Sequence, residues 1–149
     1  MTVFLDTNVF VYAVDPTDAR KHASARRLLS NLRGRGAAVI STQVVGEFTA
    51  VLLGKLGRTH AREQALAQAR SLAALWPVLG VDPRTVTWAH ELCARYAISY
   101  WDAQVLATAL LGECTAILTG DVLASELAGV SYANPFAAGF NLADLPGAS

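Results

Sequence analysis

The chain has 149 residues, enough for one domain with a single core, and a composition of 53% hydrophobic against 16% charged residues excludes an intrinsically disordered chain. A formal net charge of zero argues against indiscriminate polyanion binding. Ten of the twelve Lys and Arg residues nevertheless fall in positions 1–70 beside five acids, while the remainder holds two basic and seven acidic residues.

In chain order, Thr2 to Leu5 reads as a short buried strand ending at Asp6. Asp15-Pro16-Thr17-Asp18 reads as a turn and a helix start, the helix running to about Arg33 with Ala25, Leu28, Leu29 and Leu32 on one face and Gly34 as its stop. Ala37 to Ile40 forms a second buried strand. Ser41 or Thr42 then caps a helix whose apolar positions Val44, Val45, Phe48, Val51 and Leu52 follow helical spacing. Gly57 and Arg58-Thr59 break that helix, and another follows to about Leu75. Pro77 to Val81 reads as a short strand, and Asp82-Pro83 opens a helix to about Tyr96. Ser99 caps a helix to Leu111, Ala116 to Leu118 is a strand, Val122 to Leu127 a short helix and Val130 to Tyr132 a last strand. The tail from about residue 137 looks irregular.

Short apolar strands alternating with helices define an α/β chain. The expectation is one domain over residues 1–149, with a short, mostly parallel central sheet flanked by helices on both faces. Crossovers in such sheets are right-handed, and ligands bind beyond the carboxyl ends of the strands.

Four acids occupy suggestive places on that map. Asp6 ends the first strand, Glu47 lies two turns into the helix after the second, Asp102 is in the first turn after Ser99, and Asp121 follows the strand Ala116 to Leu118. Each taken singly has a local explanation: an Asx-turn at Asp6, an exposed helix position at Glu47, a capping box from Ser99 to Asp102, a turn at Asp121. Against these stand the wholly apolar strand before Asp6 and the Val44-Val45…Phe48 context of Glu47, which turns it toward the core. If the four meet, a cation is required, since two carboxylates ~5 Å apart repel by about 3 kcal/mol at an effective dielectric near 20. Hard oxygen donors select Mg²⁺ or Mn²⁺ over Zn²⁺, and the chemistry such a site performs is phosphodiester hydrolysis.

The segments Leu5-Asp6-Thr7-Asn8-Val9, Ser41 to Glu47, Tyr100-Trp101-Asp102-Ala103 and Leu118-Thr119-Gly120-Asp121 together resemble the PIN-domain pattern, and most closely the toxin of bacterial VapBC toxin–antitoxin pairs. The resemblance covers nearly the whole chain, down to Asn134-Pro135-Phe136. It implies that Asp6, Glu47, Asp102 and Asp121 bind Mg²⁺ or Mn²⁺, that Asn8 and Thr119 orient an acid or a bound water, and that the chain cleaves RNA. It also implies a homodimer, neutralised by a cognate antitoxin seated in an apolar groove beside the Glu47 helix. The sequence departs from many relatives at Gly120, where they carry a further acid, which bears on a second metal. A general RNA-processing PIN nuclease and a non-catalytic PIN-like module are the alternatives.

Lys21, Arg26 and Arg27 are RNA-backbone candidates, with the solvated face of an amphipathic helix as the competing reading. Trp101 reads as core, with base stacking as the alternative. His22, His60 and His90 lack ligand spacing and read as surface or packing residues. Cys93 and Cys114 read as buried thiols of a reducing cytoplasm. A phosphatase with Asp6 as nucleophile requires a second acid where Asn8 stands. No stretch reaches the roughly 18 uninterrupted apolar residues of a membrane span, and Met1 to Asp6 has no basic leader, so a cytoplasmic protein without membrane association is expected.

Overall fold

The structure, a computed structural model, describes residues 1–54 and 62–148. The expected break at Gly57 to Thr59, and His60, lie outside the described residues. Strand β1 (Val3–Leu5) leads into α1 (Thr7–Val14) and α2 (Ala19–Arg35). Then come β2 (Ala38–Ser41), α3 (Thr42–Gly54), α4 (Arg62–Leu75) and β3 (Val78–Leu79). The remainder is α5 (Pro83–Tyr96), α6 (Tyr100–Leu111), β4 (Ala116–Leu118), β5 (Glu126–Leu127), β6 (Val130–Ala133) and a 3₁₀ turn at Leu142–Asp144. No helix among the described residues is long and apolar enough to cross a membrane.

The strands form one sheet in the order β3-β2-β1-β4-β6-β5, parallel except where β5 runs against β6. Every residue of β1 and β4 is fully buried. Successive strand residues point to opposite faces, so both faces of the sheet centre are covered, as expected for parallel crossovers. From β1 the chain builds outward one way through β2 to β3, and from β4 the other way to β6. The order therefore reverses between β1 and β4, and a crevice opens at their carboxyl ends.

Capping follows the sequence closely. Asp18 accepts from the Lys21 N–H at 3.0 Å, Ser41 from Val44 at 3.2 Å, and Ser99 from Asp102 at 3.1 Å. Asp82 and Thr85 complete a capping box before Pro83. Three expectations are corrected. Helix α1 was not expected: Thr7 to Val14 is rich in β-branched residues that disfavour helix, yet burial of Val9 and Phe10 against α2 and α3 overrides that preference. The α2 stop is Gly36, left-handed at φ 61°, rather than Gly34. The expected helix at Val122 to Leu127 does not form. Glu126–Leu127 instead pairs with Val130–Ser131 through a tight turn whose central residues, Ala128 (φ 52°) and Gly129 (φ 82°), both have positive φ. Past residue 137 the tail is irregular but pinned, with Phe136 and Leu145 buried and Arg20 donating to the Phe136 carbonyl at 2.9 Å.

Candidate active site

Asp6 stands at the switch point. Its N–H donates to the Leu118 carbonyl of β4 at 3.1 Å, which fixes it against the neighbouring strand end. One carboxylate oxygen caps α1 by accepting from the Thr7 N–H at 2.8 Å, and the other accepts from the Thr119 hydroxyl at 2.8 Å. Asp6 therefore serves as a helix N-cap through the adjacent N–H, not as the Asx-turn the sequence suggested, and this local role coexists with a place in the cavity. Burial, with Glu47 and Asp102 nearby, holds the Asp6 carboxyl above its ordinary value of 3.8 despite those two hydrogen bonds.

A cavity of about 410 Å³ is lined by Asp6, Glu47, Asp102 and Asp121 together, with Asp15 as a fifth acid and, among the described residues, no Lys, Arg or His. All four acids singled out in the sequence thus face one hollow, drawn from β1, α3, α6 and the segment after β4. Glu47 is exposed, not turned toward the core as its neighbours suggested. Its position on α3 carries it to the cavity side, where Oε2 accepts from the Thr7 hydroxyl at 2.6 Å and Oε1 from Gln43 at 2.8 Å. Asp102 accepts from the Ser99 hydroxyl at 2.8 Å while its own N–H is capped by that hydroxyl. Asn8 holds the last acid in place: it donates to Thr119 at 3.1 Å and to Asp121 at 3.4 Å and accepts from the Gly120 N–H at 2.9 Å. Glu126 lies in β5, outside the cavity lining.

Further polar residues that the sequence did not flag complete the support. Tyr100 donates to Gln104 at 2.8 Å, Gln104 to Gln43 at 2.7 Å, and Gln43 to Glu47. The Gln43–Glu47 and Tyr100–Gln104 pairs are i,i+4 helix contacts and were readable in principle; the Gln104–Gln43 bond between α6 and α3 carried no such signal. Tyr132, on β6, is buried at 9% exposure, and its hydroxyl has no hydrogen-bond partner among the described residues. Burial, then the charges of Asp102 and Asp6, push its phenol well above the usual range.

The donor set fits a hard divalent cation. Asp6, Glu47, Asp102 and Asp121 line the hollow with no basic residue among the described residues of its wall, and their carboxylate oxygens are of the type Mg²⁺ and Mn²⁺ accept. Among the described residues, no three His, Cys, Asp or Glu side chains close into a ready-made cage. Open spacing suits an ion that keeps much of its own water.

Trp101 corrects another expectation. It is 62% exposed, so it is not core; it lines the acid cavity beside Asp102, its ring edge-on to Tyr100 at 5.2 Å. The basic candidates diverge. Lys21 donates to the Tyr12 hydroxyl at 3.3 Å, with its ammonium 4.9 Å from the ring centroid, and Tyr12 lines the acid cavity. Arg26 instead borders an apolar groove on the far face of α2, and Arg27 a separate cavity. His22 bonds the Tyr12 carbonyl and His90 packs on Tyr100, as packing residues do. Both cysteines are free; burial raises the Cys114 thiol to about 11.

A parallel sheet whose strand order reverses beside an acid-lined crevice marks an α/β protein with a carboxylate-rich centre at the switch point. The PIN domain profile matches residues 3–130, and the chain belongs to the PIN-domain family. Solved structures share the fold. VapC20 of Mycobacterium tuberculosis, described as a Sarcin-Ricin loop cleaving toxin, has a TM-score of 0.68 at 22% identity, with 87% of this chain and 99% of that one covered. VapBC2 of Rickettsia felis, bound to a promoter DNA fragment, gives 0.68 at 18% identity over 90% and 98%. FitAcB of Neisseria gonorrhoeae gives 0.63 at 19% over 91% and 99%. No curated protein matches the sequence.

Proposed function

We propose that this chain is a metal-dependent endoribonuclease, the toxin of a toxin–antitoxin pair, acting in the cytoplasm as a homodimer. The observation that carries the reading is the convergence of Asp6, Glu47, Asp102 and Asp121 on one cavity whose lining, among the described residues, holds no basic side chain. These acids would hold Mg²⁺ or Mn²⁺, which when bound supplies water activation and charge stabilisation at a phosphodiester. The chain's own residues do the rest. Thr119 and Thr7 hold the oxygens of Asp6 and Glu47 at fixed orientation, and Asn8 does so for Asp121. The exposed Trp101 offers its face to a base next to the scissile phosphate. Lys21, at the Tyr12 edge of the cavity, is placed to meet a neighbouring phosphate.

The test incubates the purified chain with structured RNA and Mn²⁺. Cleavage is expected, abolished by EDTA and by Asp6→Asn; cleavage that persists in EDTA removes the metal from the proposal, and cleavage that survives Asp6→Asn removes this cavity.

Inhibition by an antitoxin rests on the groove bordered by Arg26. It measures about 730 Å³, lies between α1, α2, α3 and α4, and presents Leu29 and Leu75 over the buried rings of Phe10, Phe48 and Trp76. Leu75 is 47% exposed there. An amphipathic peptide helix would bury this surface. Leu75→Asp should abolish capture of the peptide while leaving RNA cleavage intact.

A further inference from the structure

The opposite face of α2 carries a second hollow, of about 530 Å³, between that helix and the C-terminal segment. Arg20, Arg27 and Arg35 line it, with Ser24 and Asn31 between them. Spacings of three, four and eight along a helix place these residues in one stripe, running ~22 Å from Arg20 to Arg35 at 1.5 Å per residue. No acid lines the hollow, and among the described residues none of the three guanidinium groups meets a carboxylate. Arg20 is anchored by its bond to the Phe136 carbonyl. Across from the stripe lies the half-buried Phe140, over the buried ring of Phe136.

The hollow is neighboured by the acid cavity, with one pair of packed rings between them. Tyr12 lines the acid cavity and Phe136 lines the arginine hollow, and their rings meet edge to face at 4.9 Å. Lys21 sits over the Tyr12 ring at this junction. A chain of cations therefore leads from the acid centre along α2. Guanidinium groups match phosphate in charge and in fork geometry, and cations alternating with aromatic faces are the pattern that tracks a single nucleic-acid strand. An acidic peptide would use the cations but would gain nothing from their nearness to the acids, which repel it.

We infer that the hollow walled by Arg20, Arg27, Arg35 and Phe136 holds backbone phosphate of a single-stranded RNA whose scissile bond lies in the acid cavity. The inference rests on the nuclease reading for the identity of the strand. The hollow offers a chain of zero net charge a local positive face beside a cluster of acids: three of its twelve basic residues line this one hollow.

The test measures binding of a labelled mixed-sequence single-stranded RNA to the full chain in EDTA, between about 50 and about 200 mM salt. Arg27 and Arg35 are exposed helix residues, so Arg27→Ala/Arg35→Ala keeps the fold. The double variant should flatten the plot of log affinity against log salt by about 1.4, two single-strand phosphate contacts, so that its affinity falls about sevenfold less over that range. Arg27→Lys/Arg35→Lys should restore most of the slope, and Arg84→Ala/Arg95→Ala, on α5, should leave it unchanged. A slope unaltered in the alanine variant, or no RNA binding by the wild type, overturns the inference. So does arginine-dependent binding of polyglutamate in place of RNA, which would assign the hollow to an acidic peptide. The same RNA with Mn²⁺ separates the two readings. Arginine-dependent binding without cleavage strikes the nuclease and leaves the hollow, whereas cleavage with an unaltered slope does the reverse.

Discussion

The Thr7 hydroxyl donates to Glu47 Oε2 at 2.6 Å, tying the first residue of α1 to the second turn of α3 across forty positions of chain. Thr7 is also the residue whose N–H Asp6 caps. One threonine thus sets the spacing of two carboxylates contributed by separate elements. Thr7→Val keeps the shape and the β-branch and removes only the hydroxyl, so α1 should form unchanged. Mn²⁺ affinity, read by titration calorimetry, should fall by about 10- to 100-fold, with cleavage recovering at saturating metal. An unchanged affinity would show that Glu47 needs no such tether.

The raised Asp6 carboxyl carries a stability consequence whose sign is fixed. Well below pH 3.8 the group is protonated in both folded and unfolded chains and contributes nothing. As pH rises from there through the folded-state value, the unfolded chain releases its proton first. Stability is lost over that window and stays lost at neutral pH. Glu47 and Asp102 are the charges that help raise it. In EDTA at pH 7, Asp6→Asn should therefore melt higher than wild type, since Asn still caps α1, and the difference should vanish in acid. Added Mn²⁺ should stabilise the wild type in a concentration-dependent way and leave the variant unmoved. A variant that melts lower than wild type at pH 7 in EDTA would contradict this account.

Much of this arrangement was legible in the residues, and the failures have physical causes. Strands β1, β2 and β4 announce themselves as bounded apolar runs, and Asp18, Ser41, Asp82 and Ser99 as caps, because these depend on neighbours in sequence. Helix α1 was hidden because its propensity is poor and its stability comes from contact with α2 and α3. The Ala128–Gly129 turn was masked by a helix-compatible run too short to arbitrate. The four acids could be picked out by order and spacing, but Gln104, Asp15 and Tyr132 could not, since only tertiary packing brings them to the cavity or its floor. Trp101 was assigned to the core because most tryptophans are there, yet its position one before Asp102, on the cavity side of α6, leaves it in solvent.

That exposure makes Trp101 a clean probe. Trp101→Ala removes a ring in contact chiefly with the edge of Tyr100, so thermal stability should change by less than about 0.5 kcal/mol, as for surface positions generally. RNA affinity should drop by the worth of one stacked base, about 1–3 kcal/mol, seen as a higher KM. Unaltered KM would exclude the indole from substrate contact.

Tyr132→Phe tests the lone buried hydroxyl. With no partner among the described residues, that oxygen is desolvated without return. Its removal should leave the melting temperature equal or raise it, by up to about 1–3 kcal/mol of stability. A clear loss of stability would show that the hydroxyl is satisfied by trapped water beneath Asp6 and Asp102.

Strand β4 is inserted between β1 and β6, and its register with β1 joins Val3 to Ala116 and Leu5 to Leu118. The sheet centre is therefore the longest-range pairing in the chain, and the crevice has only one wall until β4 docks. During synthesis, a growing chain that already carries the first three acids still lacks its other half-sheet. Assembly of the acid cavity therefore waits on β4, whose Leu118 carbonyl holds the Asp6 N–H and whose end carries the chain to Asp121.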